Sequence, residues 1–547
     1  MTIRGDWPIS NTCLVMEQTL TTEASFPGYW PSQMLIQDAI ANRLCVSTCY
    51  AACTCGFVSA PGGLVHAATA RYRVTGVQRS NFRGSPKPET TMSSAQVGVA
   101  NVDITPEPGL PLMGNFRDDY AARGVHDPLS ARAIVFTGDQ RTKAALLAID
   151  ICMLDRENVD FIRETIGSLC DVPPENVLIH ATHTHSGPAT SATLGMKALV
   201  APHAAAIEAF LRKAASAVVQ ANDRLEDVTF EIAHAAEDQV SFNRRLRRRD
   251  GTTQMNWEAL QPDFDPAQVM EAWGPTDQEM VCLTIRHQEQ PVAALVNFGL
   301  HPAILAGDNW LYSADYPGTL RDTLSQSLGS DATCLFLNGC CGDVNHVNYR
   351  DSNQGRGYEM TQHVGSLLAA RAQQAIDASQ PLEADCLRVA REQVELERMK
   401  ISTSEQAWCE RVLQEAQERP PEGQVDGLPD AYFANLRMQM ACVQDRPDQV
   451  EVMTIRIGDA AIVGLPGEAF CELGLEIKRR SPARHTLVAG LCNDAIGYLP
   501  TMDAFLQGGY ETTVGSTFYE PGSAERLVEA AIKQLKQLFA TTADNPA

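Results

Sequence analysis

No run of 18 apolar residues occurs in the 547 positions, so the sequence holds no transmembrane helix. Basic residues are scarce. Lys and Arg number 44 against 67 Asp and Glu, for a formal net charge of −23. Nucleic acid needs clustered cations, and the one basic run, RRLRRR at 244–249, is too short to reverse that balance. An acidic surface leaves lipid and amide substrates open, because a pocket holds them rather than the global field. A Gly-x-Gly-x-x-Gly after the first strand is missing, as are a P-loop and a Gly-x-Ser-x-Gly elbow. Those absences remove the simple dinucleotide, NTPase and α/β-hydrolase readings. Cysteine is plentiful at 16 residues, but a disulfide framework is lacking. Cys13, Cys45, Cys49, Cys53 and Cys55 crowd the first 55 residues, Cys340 and Cys341 are adjacent, and the others sit singly in apolar runs. That usage points to a reducing, cytoplasmic setting.

What is present is an ordinary globular mixture, 44% hydrophobic and 20% charged. The length suggests roughly two to four domains, although a large α/β enzyme can be one unit. Residues 1–91 show little periodicity and read as a disordered or non-native extension that includes a polar tether, RYRVTGVQRSNFRGSPKPETTM. The spacing C-x3-C-x3-C-x-C within it matches no zinc pattern. Were residues 34–60 to act as a signal, the chain would be secreted or periplasmic. Ordered protein is expected from Met92, as one domain over 92–547.

In that region AQVGVANVDIT, ARAIVFTG, KAALLAIDICML, NVLIHATHTH and DVTFEIAHAAE read as strands. MVCLTIRH and PVAALVNFGLHP read as a hairpin, ATCLFLNG as a buried strand, and VEVMTIRIGDAAIVGLPGE as a strand pair. Helical spacing marks RENVDFIRETIGSLC, HAAAIEAFLRKAASAVVQANDRL, YPGTLRDTLSQSLG, GYEMTQHVGSLLAARAQQAIDAS, EAFCELGLEIKRRS and AERLVEAAIKQLKQLFATT. Residues 385–450 read as a strand, a charged helical stretch and a Pro/Gly-rich loop. Several strands are apolar on both faces. The expected fold is therefore layered α/β, with a largely buried mixed sheet and flanking helices.

Polar groups just past a buried strand are well placed for chemistry, because strand ends open into crevices. Four such exits stand out: ATHTHSGP, VNFGLHP with His301, GLPGE with Glu468, and NDAIGY with Tyr498. On a continued strand His183 and His185 would share a face, and His180 would turn the other way into structure. Two His and a carboxylate suit a catalytic zinc, yet such pairs also satisfy strand-end backbone groups. From the residues alone both readings stay open.

The motifs ATHTHSGP, VNFGLHP, GLPGE, FNRR and CCGDVN follow one another as in the neutral (non-lysosomal) ceramidases, and VGVANVDITP and GVHDPLSARAIVF look like that family's opening. The chain resembles this family over about residues 95–540. The resemblance implies an α/β catalytic domain around a Zn2+ ion, without the C-terminal β-sandwich that usually follows. It implies His183, His301, Glu468 and Tyr498 as metal ligands, with His185, Arg244 and Tyr510 around the scissile amide. Tyr510 falls twelve residues after Tyr498, at the family's spacing for a second tyrosine. The neighbours of Arg244 in the arginine run are expected to be surface charge, and His126 to be structural or pocket-lining. One departure stands out: the family's Gly-Asp-Val-Ser-Pro-Asn reads GDVNHV, with Asn345 at the Ser and His346 at the Pro. Asn cannot serve as a hydroxyl nucleophile, so metal-activated water is expected to attack. For Cys340 and Cys341 buried packing is expected. The implied reaction is hydrolysis of N-acyl sphingosine to a fatty acid and a sphingoid base, with at most transient membrane-surface contact. The alternatives are a zinc amidase or esterase for another small amide or ester, and a non-catalytic lipid-binding relative.

Overall fold

Two β-sheets packed face to face carry the core of the molecule. The structure is a computed structural model that describes residues 95–540, apart from 118, 139–141, 194–195, 330, 352, 385, 419–423 and 426–427. The expectations for the 1–91 extension, its cysteines and the 34–60 signal lie outside the described residues.

The large sheet holds β1 (Ala95–Asp103), β2 (Ser130–Thr137), β3 (Lys143–Ile149), β4 (Val177–Ala181), β5 (Glu226–Ala236), β6 (Glu279–His287), β7 (Gln290–Phe298), β8 (Thr333–Asn338) and β9 (Gln380–Leu382). Its order is β8-β7-β6-β5-β1-β2-β3-β4, with β9 beside β5. The β7–β8 and β3–β4 pairs are parallel and the others antiparallel, so the sheet is mixed as expected. The second sheet holds β10 (Leu387–Leu396), β11 (Asp448–Ile457), β12 (Ala460–Gly464) and β13 (His485–Ala489), in that order.

The doubly apolar strands follow from this stacking. Along β2, Ile134 and Phe136 face the second sheet, where Met453, Ile455 and Leu487 meet them. Ala131, Ala133 and Val135 face helices instead. Those helices are α1 (Arg156–Leu169) and α2 (Ala204–Asn222). Over the other half of the large sheet lie α3 (Tyr316–Leu328) and α4 (Tyr358–Ile376). Two further helices follow β10, α5 (Thr403–Glu418) and α6 (Asp430–Val443). Only the first was expected, because α6 lies behind the Pro/Gly-rich loop. The outer face of the second sheet packs on α7 (Cys471–Arg480) and α9 (Ser523–Phe539), with the short α8 (Met502–Gln507) between them in sequence. No helix among the described residues is long and apolar enough to cross a membrane.

The carboxyl ends of β4, β7, β8 and β13 are tied together by polar bonds. Ala181 N–H donates to Leu491 O, Asn493 N–H to Ile179 O and Gly490 N–H to Asn338 O, at 3.1, 2.9 and 3.1 Å. Asn297 Nδ2 bridges Leu337 O and Val488 O at 3.0 and 2.9 Å. Positive φ angles gather around these exits, at His183 (73°), Asp315 (55°), Leu491 (53°) and Asn493 (62°). Non-glycine residues adopt such angles rarely and at some energetic cost, which marks the exits as over-determined by their surroundings.

Candidate metal centre

β4 ends at Ala181, so the strand expected through His183 and His185 stops short of both. The reason lies in the backbone. His183 turns left-handed and donates its N–H to Ile151 O at 2.9 Å, outside the ladder. The turn still brings the two rings together, with centroids 4.8 Å apart. His180 faces away as expected. Its Nδ1 donates to Gly490 O (2.9 Å) and its Nε2 accepts from Asn338 N–H (3.0 Å), which leaves no free lone pair. Burial lowers it to about 4, so it is a neutral structural imidazole.

His183 Nδ1 donates to Cys152 O at 2.7 Å, and His301 Nδ1 donates to Cys341 O at 3.1 Å. Each ring thus carries a proton on Nδ1, and both Nε2 atoms face one point, 2.9 Å from each other. Glu468 Oε2 lies 3.3 Å from one Nε2 and 3.7 Å from the other. That buried oxygen accepts no hydrogen bond. His185 Nε2 approaches the same point, 3.3 Å from His183 Nε2, while its Nδ1 faces Asn115 Oδ1 at 3.3 Å.

Two imidazole nitrogens and a carboxylate oxygen that converge on one buried point form a donor set that could hold a cation. Nitrogens about 2.0–2.1 Å from a tetrahedral zinc would stand roughly 3.3–3.4 Å apart, in the range of these separations. Imidazoles anchored through Nδ1 on backbone carbonyls are the usual outer support of a metal ligand. The residues therefore fit a divalent ion. Their protonation agrees. Burial opposes charge on His183, yet Cys152 and Glu468 outweigh it and hold His183 up at about 10. His185 and His301 are driven well below their ordinary value, by burial first and by the His183 charge second. One proton on His183 does in part what a cation would do for the whole cluster. A second trio, Cys152 with His183 and His185, also clusters. It would use His183 Nδ1, which is already engaged by Cys152 O, so the His183–His301–Glu468 set is the better donor group.

Glu468 and Tyr498 are partners in a two-residue parallel bridge past β12. Burial raises the Tyr498 hydroxyl well above its ordinary value, and the Glu468 carboxylate adds to that. The Arg244 guanidinium lies 5.2 Å from the Tyr498 ring centre, and the Tyr510 ring 5.6 Å from that of Tyr498. All seven expected site residues thus lie in one neighbourhood.

Arg245 corrects the expectation of surface charge beside Arg244, because it is only 1% exposed. Both guanidiniums share Glu511. Arg244 Nε donates to Oε1 at 2.8 Å and Arg245 Nη1 to Oε2 at 2.7 Å. Arg244 Nη2 is buried with no partner. Sequence reasoning missed Glu511, although it follows Tyr510 directly. It also missed Asp150, whose charge inside the apolar run KAALLAIDICML was a signal for a buried pair. Asp150 accepts two bonds from Arg321, at 2.6 and 2.8 Å, and one from Thr182 Oγ1 at 3.1 Å, just before His183. Cys152 and Asn115 left no such signal.

His126 stacks on Tyr358 with centroids 3.6 Å apart and lines a separate polar cavity of about 470 Å³. Asn345 is locked in a side-chain pair with Asn256, at 2.7 and 2.8 Å. Cys340 and Cys341 are buried as expected, and burial pushes the Cys340 thiol up to about 12. His346 is also buried, with neither ring nitrogen partnered, and burial lowers it to about 4. An unfolded His titrates near ~6.5. The unfolded chain therefore binds more protons between those values, so His346 contributes stability above pH ~6.5 that is lost as pH falls toward 4. His346→Leu is expected to gain about 1 kcal/mol at pH 7, by removing unsatisfied polar atoms. It should also flatten the loss of stability across that acid window. Urea unfolding midpoints across the pH range check both; an unchanged acid limb would refute the assignment.

Fold and site together define a mixed α/β protein whose strand exits gather a donor set that could hold a metal ion. Residues 95–333 match the profile described as neutral/alkaline non-lysosomal ceramidase, N-terminal. It is 25% identical over 234 residues to neutral ceramidase A of Dictyostelium discoideum, covering 41% of this chain and 31% of that protein. It is 33% identical over 98 residues to a neutral ceramidase of Mycobacterium tuberculosis, covering 17% and 15%. The match thus spans about a third or less of these relatives' length. The fold is similar to the crystal structure of neutral ceramidase from Pseudomonas aeruginosa, with a TM-score of 0.61 at 19% identity over 83% of this chain and 76% of that one.

Proposed function

We propose that this protein hydrolyses an amide bond with the help of a bound divalent ion, most simply Zn2+, and that its substrate is an N-acyl sphingosine. The convergence of the His183 and His301 Nε2 atoms beside the unpartnered Glu468 oxygen carries the metal part of this reading. The names of the relatives support the ceramide part. His183, His301, Glu468 and Tyr498 would hold the ion. When bound, such an ion polarises a carbonyl and lowers the pKa of a bound water toward about 7.

The chain's own groups do the rest. Arg244 offers its unpartnered Nη2 to the carbonyl oxygen as that oxygen gains charge. Tyr510 adds a second donor, since burial raises its hydroxyl and keeps it protonated. Glu511 holds Arg244 in place and is itself fully buried. His185, neutral and braced by Asn115, accepts the proton lost by the attacking water and returns it to the leaving amine. No hydroxyl stands at 345 to compete as a nucleophile.

Protein stripped with a chelator is expected to lose hydrolysis of N-acyl sphingosine and to regain it with about one equivalent of zinc. Metal analysis alongside a panel of N-acyl amides and esters is the measurement. Full turnover in metal-free protein would exclude the mechanism, and turnover of other amides but not ceramide would exclude the substrate.

A further inference from the structure

An aromatic pair stands on the rim of the site without a part in the chemistry above. The loop at 114–117 is pinned to His185 on both sides of Phe116. Gly114 has φ of 106°, and a Cβ there would come within 2.4 Å of the His185 ring, so only glycine lets the loop lie this close. Asn115 meets His185 Nδ1 with its Oδ1 and donates through Nδ2 to Leu305 O at 2.9 Å. Arg117 donates to Asn309 O and to His185 O, both at 3.0 Å. Phe116, between these anchors, is still 46% exposed. A large apolar ring is thus held out at the surface by a fixed backbone.

Phe116 meets Tyr432 of α6 edge to face, with centroids 5.3 Å apart and planes at 79°. Helix α6 in turn grips the loop that carries Tyr510. Leu436 packs on Gly515, where a Cβ would lie 2.8 Å from it, and Met440 shares an apolar cluster with Val514. The phenols of Tyr432 and Tyr510 lie near enough to act on each other electrostatically. The Phe116–Tyr432 pair therefore joins two loops that border the donor cluster. One ends on His185 and the other on Tyr510.

We propose that Phe116 and Tyr432 are specificity-determining residues that hold an apolar chain of the substrate as it leaves the reacting amide. This rests on the hydrolase reading above. The amide carbonyl must sit at the donor cluster, so a long substituent runs outward past the rim, where these two rings offer apolar surface. A short substituent ends before it reaches them. The buried groups of the cluster are polar and charged, so methylenes find few partners until that point.

The test compares wild type with Phe116→Ala, Tyr432→Ala and Tyr432→Phe. Substrates form two series, N-acetyl to N-dodecanoyl amides of one amine, and acetamides of short to long alkyl amines. In at least one series Phe116→Ala and Tyr432→Ala should raise KM for the long members about 10-fold or more, the scale of a lost apolar contact. kcat should stay within about twofold, the short members should be unaffected, and Tyr432→Phe should match wild type. Phe116→Ala removes little packing, so it remains informative if Tyr432→Ala fails to fold. Equal effects on short and long members, or no effect in either series, would overturn the proposal. If wild type cleaves none of these amides, the hydrolase reading fails separately. Calorimetric binding of the uncleaved amides then decides the pair: loss of chain-length preference in Phe116→Ala supports it, and an unchanged or absent preference overturns it.

Discussion

Glu468→Gln is expected to abolish stoichiometric metal binding and to lower amide hydrolysis by about 10³-fold or more. The carboxylate is the only anionic group of the His183–His301–Glu468 set, and its Oε2 lies 3.3 and 3.7 Å from the two Nε2 atoms. Replacing it with an amide keeps the volume but removes the charge that draws a cation into a buried site. Loss of a supporting partner alone lowers affinity about 10–100-fold, and loss of a ligand should exceed that. An ion that polarises a carbonyl contributes several kcal/mol to the transition state, and each ~1.4 kcal/mol is about tenfold in rate. The fold should survive, because Oε2 accepts no hydrogen bond whose donor would be stranded. Metal analysis, turnover and thermal unfolding on one sample separate the outcomes. A variant that keeps both its metal and its rate would remove Glu468 from the site.

Glu511→Ala should produce the largest loss of stability. Glu511 is 0% exposed and is the shared counter-charge of two guanidiniums that are themselves 3% and 1% exposed. Burial opposes its ionisation, but Arg244 and then Arg245 outweigh it and hold its carboxyl below the usual range. Deleting one member of a buried ion pair costs about 3–5 kcal/mol, because the remaining charge stays desolvated. Here two charges would be left, although Arg245 keeps bonds to Gln507 Oε1 and Gly508 O. Glu511→Gln, which retains an acceptor, should lose less. A carboxylate depressed on folding contributes stability above its unfolded value near ~4.3 that is lost as pH falls through the lower folded value. The gap between wild type and Glu511→Gln should therefore narrow in acid. Denaturant titrations at neutral and acid pH check this, and a neutral-pH loss under about 1 kcal/mol for Glu511→Ala would show that the arginines find other partners.

The strands were legible because burial on both faces leaves an unbroken apolar run, as in β3 and β4. The helices were legible by the apolar stripe each must bury. Neither pattern says what covers a face, so the second sheet against Ile134 and Phe136 could not be read from either. The strand continued through His183 was a misreading of the same kind. Thr and His go on alternating past Ala181, but the backbone turns left-handed to bond with Ile151. Arg245 misled in the opposite sense. A run of arginines looks solvated until a single carboxylate, 266 residues away, takes it inside.

By itself the sequence supplied the candidates: three histidines, a glutamate and two tyrosines in the expected motifs, with no hydroxyl at 345. Their types are covalent facts, and the order of the motifs carries the family resemblance. Only the tertiary structure decided that His183 and His301 aim their Nε2 atoms at one point while His180 does not. That choice is made by which carbonyl each Nδ1 finds, Cys152 O or Cys341 O or Gly490 O. Those carbonyls lie past the ends of three different strands, 31, 40 and 310 residues from the rings they hold, and no local pattern encodes which of them each ring meets.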